Sequence, residues 1–106
     1  MKLDKQESLR QLPGHGAPFM ELFRHGTLSV EIYRPHEVDL QQPHTRDEVY
    51  VIISGRGEFL LNGDRTGFGP GDLLFVPAGA SHRFENFTED FATWVIFFGP
   101  EGGEKP

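Results

Sequence analysis

Residues 71–86 of this 106-residue chain have the sequence GDLLFVPAGASHRFEN, and this stretch decides the fold. A Pro-Gly-Asp turn precedes a short apolar run, Leu73 to Val76. Pro77 and Gly79 interrupt the chain after that run, and the segment Ser81 to Asn86 follows them. Two short strands joined by a tight turn are therefore predicted here.

The same pattern of short strands extends outward from this stretch. Leu28 to Tyr33 alternates apolar and polar residues with a period of two, and Glu48 to Ile53 is another apolar run. Asn62-Gly63 is a strong hairpin signal, because both residues tolerate the positive φ of a two-residue turn. Phe59 to Leu61 and Phe91 to Phe98 are also predicted strands. Short strands without a long helical segment between them predict an all-β sandwich or barrel.

The two ends of the chain carry weaker signals. Asp4 and Glu7 form a capping-box pattern that predicts a short helix, Lys5 to Leu12. The tail from Gly99 is rich in Gly, Pro and charge, and we expect it to be loosely held. Residues 1–106 are predicted to be a single domain with its core at about 19–98.

The composition restricts the classes of partner and site. A formal net charge of −6 argues against nucleic acid, whose phosphates need a basic face. No segment has the roughly 18 apolar residues of a membrane span, and the charged start of the chain does not resemble a signal peptide. We therefore expect a cytoplasmic protein with no nucleic-acid or membrane partner. The chain has no Cys, so a metal must bind through nitrogen and oxygen ligands.

His44, Glu48 and His82 have the chemistry of a metal site. Glu48 and His82 each lie near the start of a predicted strand, and a buried carboxylate there needs a partner. If the segments pair in one β-fold, two imidazoles and one carboxylate converge, which is the facial arrangement of non-haem iron sites and also suits other divalent metals. Period two would place Gln42 on the face of His44, and Tyr50 on the face of Glu48.

These segments resemble the two sequence motifs of the cupin family. The second motif is matched at every anchor position, by Gly71, Pro77, Gly79, His82 and Asn86. The first motif is matched in part, by His44, Glu48 and Gly55. The sequence departs from it at the first His, where Gln42 stands, and at the preceding Gly, where His36 stands. The resemblance implies a small jelly-roll β-barrel, often dimeric, with His44, Glu48 and His82 holding a metal near its centre.

Several side chains near these motifs have two interpretations. The amide oxygen of Gln42 is either a fourth, neutral metal ligand, or the position belongs to water that Gln42 hydrogen-bonds. Tyr50 and Phe84 are candidates for binding a substrate, although Phe84 is more simply explained as a core residue. Asp47 is expected to point to the opposite face of its strand as an exposed acid.

Such a site is consistent with more than one class of function. The first is a metal-dependent enzyme acting on a small molecule: a dioxygenase with Fe, or an isomerase, lyase or hydrolase with Zn, Mn or Ni. The second is a non-catalytic module that binds a sugar or an organic acid, and a barrel with a vestigial site is the third. Apolar residues on both faces of 49–53, 73–76 and 95–98 further favour a homodimer formed by sheet packing.

Overall fold

Eight β-strands make up the body of the chain in the computed structural model, which describes residues 1–106. They are β1 (Phe19–His25), β2 (Leu28–Tyr33), β3 (Asp47–Ser54), β4 (Gly57–Leu61), β5 (Asp64–Phe68), β6 (Leu73–Val76), β7 (His82–Glu85) and β8 (Ala92–Phe98). They form two antiparallel sheets with the strand orders β1-β2-β8-β3-β6 and β5-β4-β7. The all-β prediction is confirmed, and the two sheets fit the expected jelly roll.

The predicted N-terminal helix is present as α1 (Lys5–Gln11). The Asp4 carboxylate caps it by accepting a hydrogen bond of 2.9 Å from the backbone N–H of Glu7. One 3₁₀ turn, Leu12–His15, follows and leads the chain towards β1. No helix in the structure has the length and apolar character needed to cross a membrane.

The Asn62-Gly63 hairpin joins β4 to β5, with both residues at positive φ, 51° and 88°. This turn chemistry twists the flanking strands correctly for a hairpin. The strand that it starts, β5, was not among the predicted strands. Its residues, DRTGF, are exposed except for Phe68, so the sequence lacks the alternation of apolar and polar residues that would predict a strand.

The core lies between the two sheets. Its ten buried members are Tyr33, Tyr50, Ile52, Phe59, Phe68, Val76, Ala80, Phe84, Phe91 and Val95. Phe84 is at its centre, since its ring centroid lies 4.7 to 5.4 Å from those of Phe91, Tyr50, Phe59 and Phe68. The packing supports the interpretation of Phe84 as a core residue, and its contact with a substrate stays a prediction.

The C-terminal tail is held in place, so the expectation that it is loose was wrong. Gly102 N–H donates to the Thr45 carbonyl at 2.7 Å, and Glu104 N–H donates to Asp47 Oδ2 at 2.8 Å. Asp47 Oδ1 also accepts from Ala78 N–H at 3.0 Å. Asp47 is therefore not an exposed acid but only 5% exposed, with its pKa lowered by these two backbone hydrogen bonds.

Candidate metal centre

The three candidate ligands come from three different parts of the fold. Glu48 is the second residue of β3 in the five-stranded sheet, and His82 is the first residue of β7 in the three-stranded sheet. His44 precedes β3, in a segment, residues 34–46, that has no regular secondary structure. One donor atom from each of the three lies within 4.8 Å of the others. The jelly roll thus brings His82 beside His44 and Glu48, which lie much earlier in the sequence.

The distances between the donor atoms suit a common ion. Glu48 Oε1 lies 3.3 Å from His82 Nε2, and Glu48 Oε2 lies 3.8 Å from His44 Nε2. Donors bound at about 2.1 Å to one ion lie roughly 3.0 to 3.4 Å from one another at tetrahedral or octahedral angles. The two carboxylate–imidazole distances lie close to this range, and the donor atoms of the third pair lie within 4.8 Å of each other. That these residues bind a metal stays a prediction.

Glu48 provides the structural test of fit. Its side chain is 0% exposed, and neither of its carboxylate oxygens has a hydrogen-bond partner. Burying a charged carboxylate without such partners is costly, and a cation held jointly with the two imidazoles would remove that cost. The donor set, one carboxylate and two imidazoles, is one that divalent transition metals accept. These three residues therefore fit a divalent metal ion.

The backbone fixes the orientation of the His82 ring. Its Nδ1 lies 3.0 Å from the Ala80 carbonyl oxygen, which can only accept, so Nδ1 carries a hydrogen. The neutral ring then presents the lone pair of Nε2 towards Glu48. A metal-binding histidine is commonly oriented in this way by a carbonyl or carboxylate behind it.

The two histidines differ in their affinity for a proton. Burial lowers the pKa of His82, but the Glu48 carboxylate 3.3 Å away and the Ala80 carbonyl outweigh it, and the pKa is raised. The pKa of His44 is lowered, chiefly by burial and with a contribution from His82. In the absence of a metal, a proton at this site therefore belongs on His82 rather than on His44.

Gln41, and not Gln42, is the glutamine beside the cluster. Gln41 Oε1 lies 3.3 Å from His44 Nε2 and accepts from the Tyr50 hydroxyl at 3.1 Å. Gln42 is exposed and makes no side-chain hydrogen bond with any of the three candidate ligands. The expectation that Gln42 shares a face with His44 fails because this segment is not a strand, so period two does not apply to it.

Tyr50 lies directly under the cluster. It is fully buried, and its hydroxyl is 3.1 Å from His82 Nε2 as well as from Gln41 Oε1. Burial, with the negative charge of Glu48, raises the pKa of Tyr50 well above its ordinary value. The phenol therefore remains a hydrogen-bond donor at any physiological pH.

Asp39 is a residue of this region that sequence reasoning missed. It is buried, and its carboxylate accepts from the Tyr33 hydroxyl at 2.6 Å, from Gln41 Nε2 at 3.1 Å and from Phe84 N–H at 2.9 Å. These contacts tie the irregular segment to both sheets and turn the amide oxygen of Gln41 towards the site. The only available signal was one acid between two apolar residues, Val38 and Leu40.

Two cavities reach the cluster from different sides. One of about 210 Å³ includes His44, Glu31 and Tyr33 in its lining, and another of about 360 Å³ includes His82 and Gln42. Gln41 lines both. Sequence reasoning also missed Glu31. Its pKa is raised by burial and by the charges of Glu21 and Glu48.

Comparison with known proteins identifies the family. Residues 29–98 match the profile described as Cupin domain, so this chain belongs to the cupin family, and the resemblance in its motifs is confirmed. It is 32% identical over 102 residues to an uncharacterized protein of Streptomyces coelicolor, covering 94% of this chain and 95% of that one.

Several relatives have named activities, and two of them represent different reaction types. Dimethylsulfoniopropionate lyase DddQ of Ruegeria pomeroyi is 32% identical over 92 residues, covering 83% of this chain and 43% of the lyase. Acireductone dioxygenase of Exiguobacterium sibiricum is 44% identical over 46 residues, covering 39% of this chain and 26% of the dioxygenase. The chain thus spans less than half the length of either enzyme.

Proposed function

We propose that the protein is a metal-dependent enzyme that acts on a small molecule, with His44, Glu48 and His82 as metal ligands. The observation that carries this proposal is the buried Glu48, whose two oxygens lack hydrogen-bond partners between two imidazoles. A buried carboxylate is costly in a merely structural barrel, and a cation held between the two imidazoles would offset that cost.

Gln41 is proposed as the fourth donor in place of Gln42. Its amide oxygen already faces His44, and Asp39 holds its amide nitrogen on the opposite side. A neutral amide binds a divalent ion more weakly than a third imidazole, so this ligand can yield to a substrate. Fe, Mn, Ni and Zn all suit such a set of donors, and the bound ion would polarise a carbonyl or carboxylate of the substrate.

A proton-transfer reaction of lyase or isomerase type is the proposed chemistry. Glu31 lines the cavity on the His44 side, and its raised pKa suits a carboxylate that takes a proton from a substrate and returns it. Tyr50 holds a proton at its hydroxyl and donates it in a hydrogen bond to Gln41 Oε1, next to His82. The similarity to a lyase over 83% of this chain supports the same class.

A dioxygenase is the second candidate. Two imidazoles and one carboxylate leave coordination positions free for dioxygen and a substrate. The similarity to acireductone dioxygenase, although limited to 46 residues, points the same way. A screen of small organic acids and sugars with an oxygen electrode separates the candidates. The lyase or isomerase turns over without oxygen, the dioxygenase consumes it, and a non-catalytic binding module gives ligand binding without product.

Metal analysis tests the proposal itself. Elemental analysis of the purified protein should find about one equivalent of a divalent transition metal, and EDTA should lower its melting temperature. His82→Ala should lose most of the metal, whereas His25→Ala, at an exposed position at the end of β1, should retain it. A wild-type protein without stoichiometric metal, and with a melting temperature that EDTA does not change, contradicts the proposal.

A homodimer is also proposed. β6 is an edge strand of the five-stranded sheet, and its Leu73 and Phe75 side chains are 63% and 49% exposed. Apolar side chains on a sheet edge favour burial against a second copy. Light scattering at micromolar concentration should give the dimer mass, and the double substitution of Leu73→Asp with Phe75→Asp should give the monomer mass. A monomeric wild type removes this proposal.

A further inference from the structure

A cavity beside the N-terminal segment lies apart from the candidate metal centre. It has a volume of about 590 Å³ and is bounded by the N-terminal segment on one side and by residues 33–40 on the other. None of His44, Glu48 and His82 lines it. Its volume is that of a pocket for a small organic molecule.

Arg34 is the fixed charge in this cavity. Its Nε atom is buried and has no hydrogen-bond partner, and its guanidinium forms no ion pair. By contrast, four other arginines each lie within 3.1 Å of a glutamate oxygen: Arg10, Arg24, Arg65 and Arg83. A partly buried guanidinium without a partner is costly, and an anion that accepts from it would offset the cost.

The lining of this cavity lacks acidic residues, although the chain has 16 Asp and Glu residues and a net charge of −6. None of the twelve residues that line the cavity is acidic. A carboxylate entering it therefore meets one positive charge and no neighbouring negative charge from the lining. A planar guanidinium can bind such a carboxylate through two parallel hydrogen bonds.

Aliphatic side chains form much of the remaining lining. Leu9 and Leu12 come from α1 and the 3₁₀ turn, and Val38 and Leu40 come from the opposite side. Val38 and Leu40 are 58% and 81% exposed, and they are two of the six large hydrophobic side chains that the surface exposes. An apolar body lying in the cavity would cover them and gain from their burial.

We propose that this cavity binds a small amphiphilic carboxylate, whose anionic group pairs with Arg34 and whose aliphatic or aromatic body lies against Leu12, Val38 and Leu40. The site is separate from the metal ligands, so it stands or falls independently of the proposed enzyme. Its ligand need not be the substrate.

Octanoate and octanamide, which differ in charge and share an eight-carbon chain, test the proposal on the wild-type protein. Calorimetry should show octanoate binding at least about tenfold more tightly than octanamide, because the amide cannot neutralise Arg34. Amide chemical shifts in an isotope-labelled sample should change in residues 9–18 and 33–40. Equal affinities for the two probes, or shifts centred on His44 and His82 instead, would overturn the proposal.

Two variants sharpen the test. Arg34→Gln should weaken octanoate binding at least about tenfold, while Arg24→Gln, which removes the same charge from the exposed end of β1, should leave it unchanged. Unaltered octanoate binding by a folded Arg34→Gln protein would also overturn the proposal. If that variant does not fold, the comparison of the two probes on the wild type still decides it.

Discussion

Glu48 Oε1 lies 3.3 Å from His82 Nε2, and both side chains are shielded from solvent. In the metal-free protein, this contact favours a proton on His82, so its pKa is raised above the ordinary value of 6.5. A metal must displace that proton before it can bind Nε2. Metal binding and proton release are therefore coupled at this contact.

The first prediction is a metal affinity that depends on pH. Below the His82 pKa, each ion bound should release about one proton, and the affinity should fall about tenfold for each unit that the pH is lowered. Calorimetry in buffers with different ionisation enthalpies measures the proton count. An affinity that is constant between about pH 5 and 8 would contradict the coupling.

The second prediction concerns the two glutamines. Gln41→Ala should lower the metal affinity about tenfold, because Gln41 Oε1 faces His44 and contacts the Tyr50 hydroxyl. Gln42→Ala is the matched control and should bind metal as the wild type does, since its side chain is exposed. Competition with a chromogenic chelator gives both affinities. The reverse order of effects would restore Gln42 as the ligand.

The third prediction is that Glu31 lowers the free energy of unfolding at neutral pH. A carboxyl whose pKa is raised on folding destabilises the folded state above its unfolded pKa, and the penalty disappears as the pH falls below that value. Glu31→Gln should therefore increase the free energy of unfolding at pH 7 by a small amount, because Glu31 is partly exposed to solvent.

The same substitution should lower the turnover found in the substrate screen and leave the metal content unchanged. Glu89→Gln, at an exposed position, is the control and should alter neither property. A Glu31→Gln protein that is no more stable and fully active would show that Glu31 takes no part in the reaction.

The fourth prediction concerns Asp47, which joins the start of β3 to Ala78 and to the C-terminal tail. Its lowered pKa means that its contribution to stability is present above the unfolded pKa of about 3.8 and is lost as the pH falls through the lower, folded value. Asp47→Asn should reduce the melting temperature by a few degrees at pH 7, and the difference should shrink towards pH 2. Thermal unfolding by circular dichroism measures both. A difference that is equal at all pH values would exclude the charge as its cause.

Most strands, and the clustering of His44, Glu48 and His82, could be predicted because turn residues and apolar runs mark the strands. Residues 71–86 contain turn residues and an apolar run at defined positions. The strands β2, β3, β6 and β8 contain enough apolar residues to be predicted as strands. Glu48 and His82 could be selected as candidate metal ligands because each lies at or near the start of such a strand. The strand β5 could not be predicted, because its pairing with β4 depends on the hairpin turn rather than on its own residues.

The remaining parts of the site depend on tertiary contacts, which the periodicity of the sequence does not predict. Residues 34–46 are irregular, so the direction of Gln41 is set by Asp39 and not by its distance from His44 in sequence. Asp47 looked like a solvated acid because its two donors, Ala78 and Glu104, are 31 and 57 positions away. Glu31 lies on a regularly alternating strand, and only the packed fold shows that its surroundings are partly buried.

Gln41 forms part of the wall of both cavities that approach the candidate metal centre, and each cavity contacts a different histidine. Two molecules could therefore approach the cluster without passing one another, the substrate beside His44 and Glu31 and a second small molecule beside His82. Such a division would let the protein admit water or a gas while an organic substrate already occupies its place.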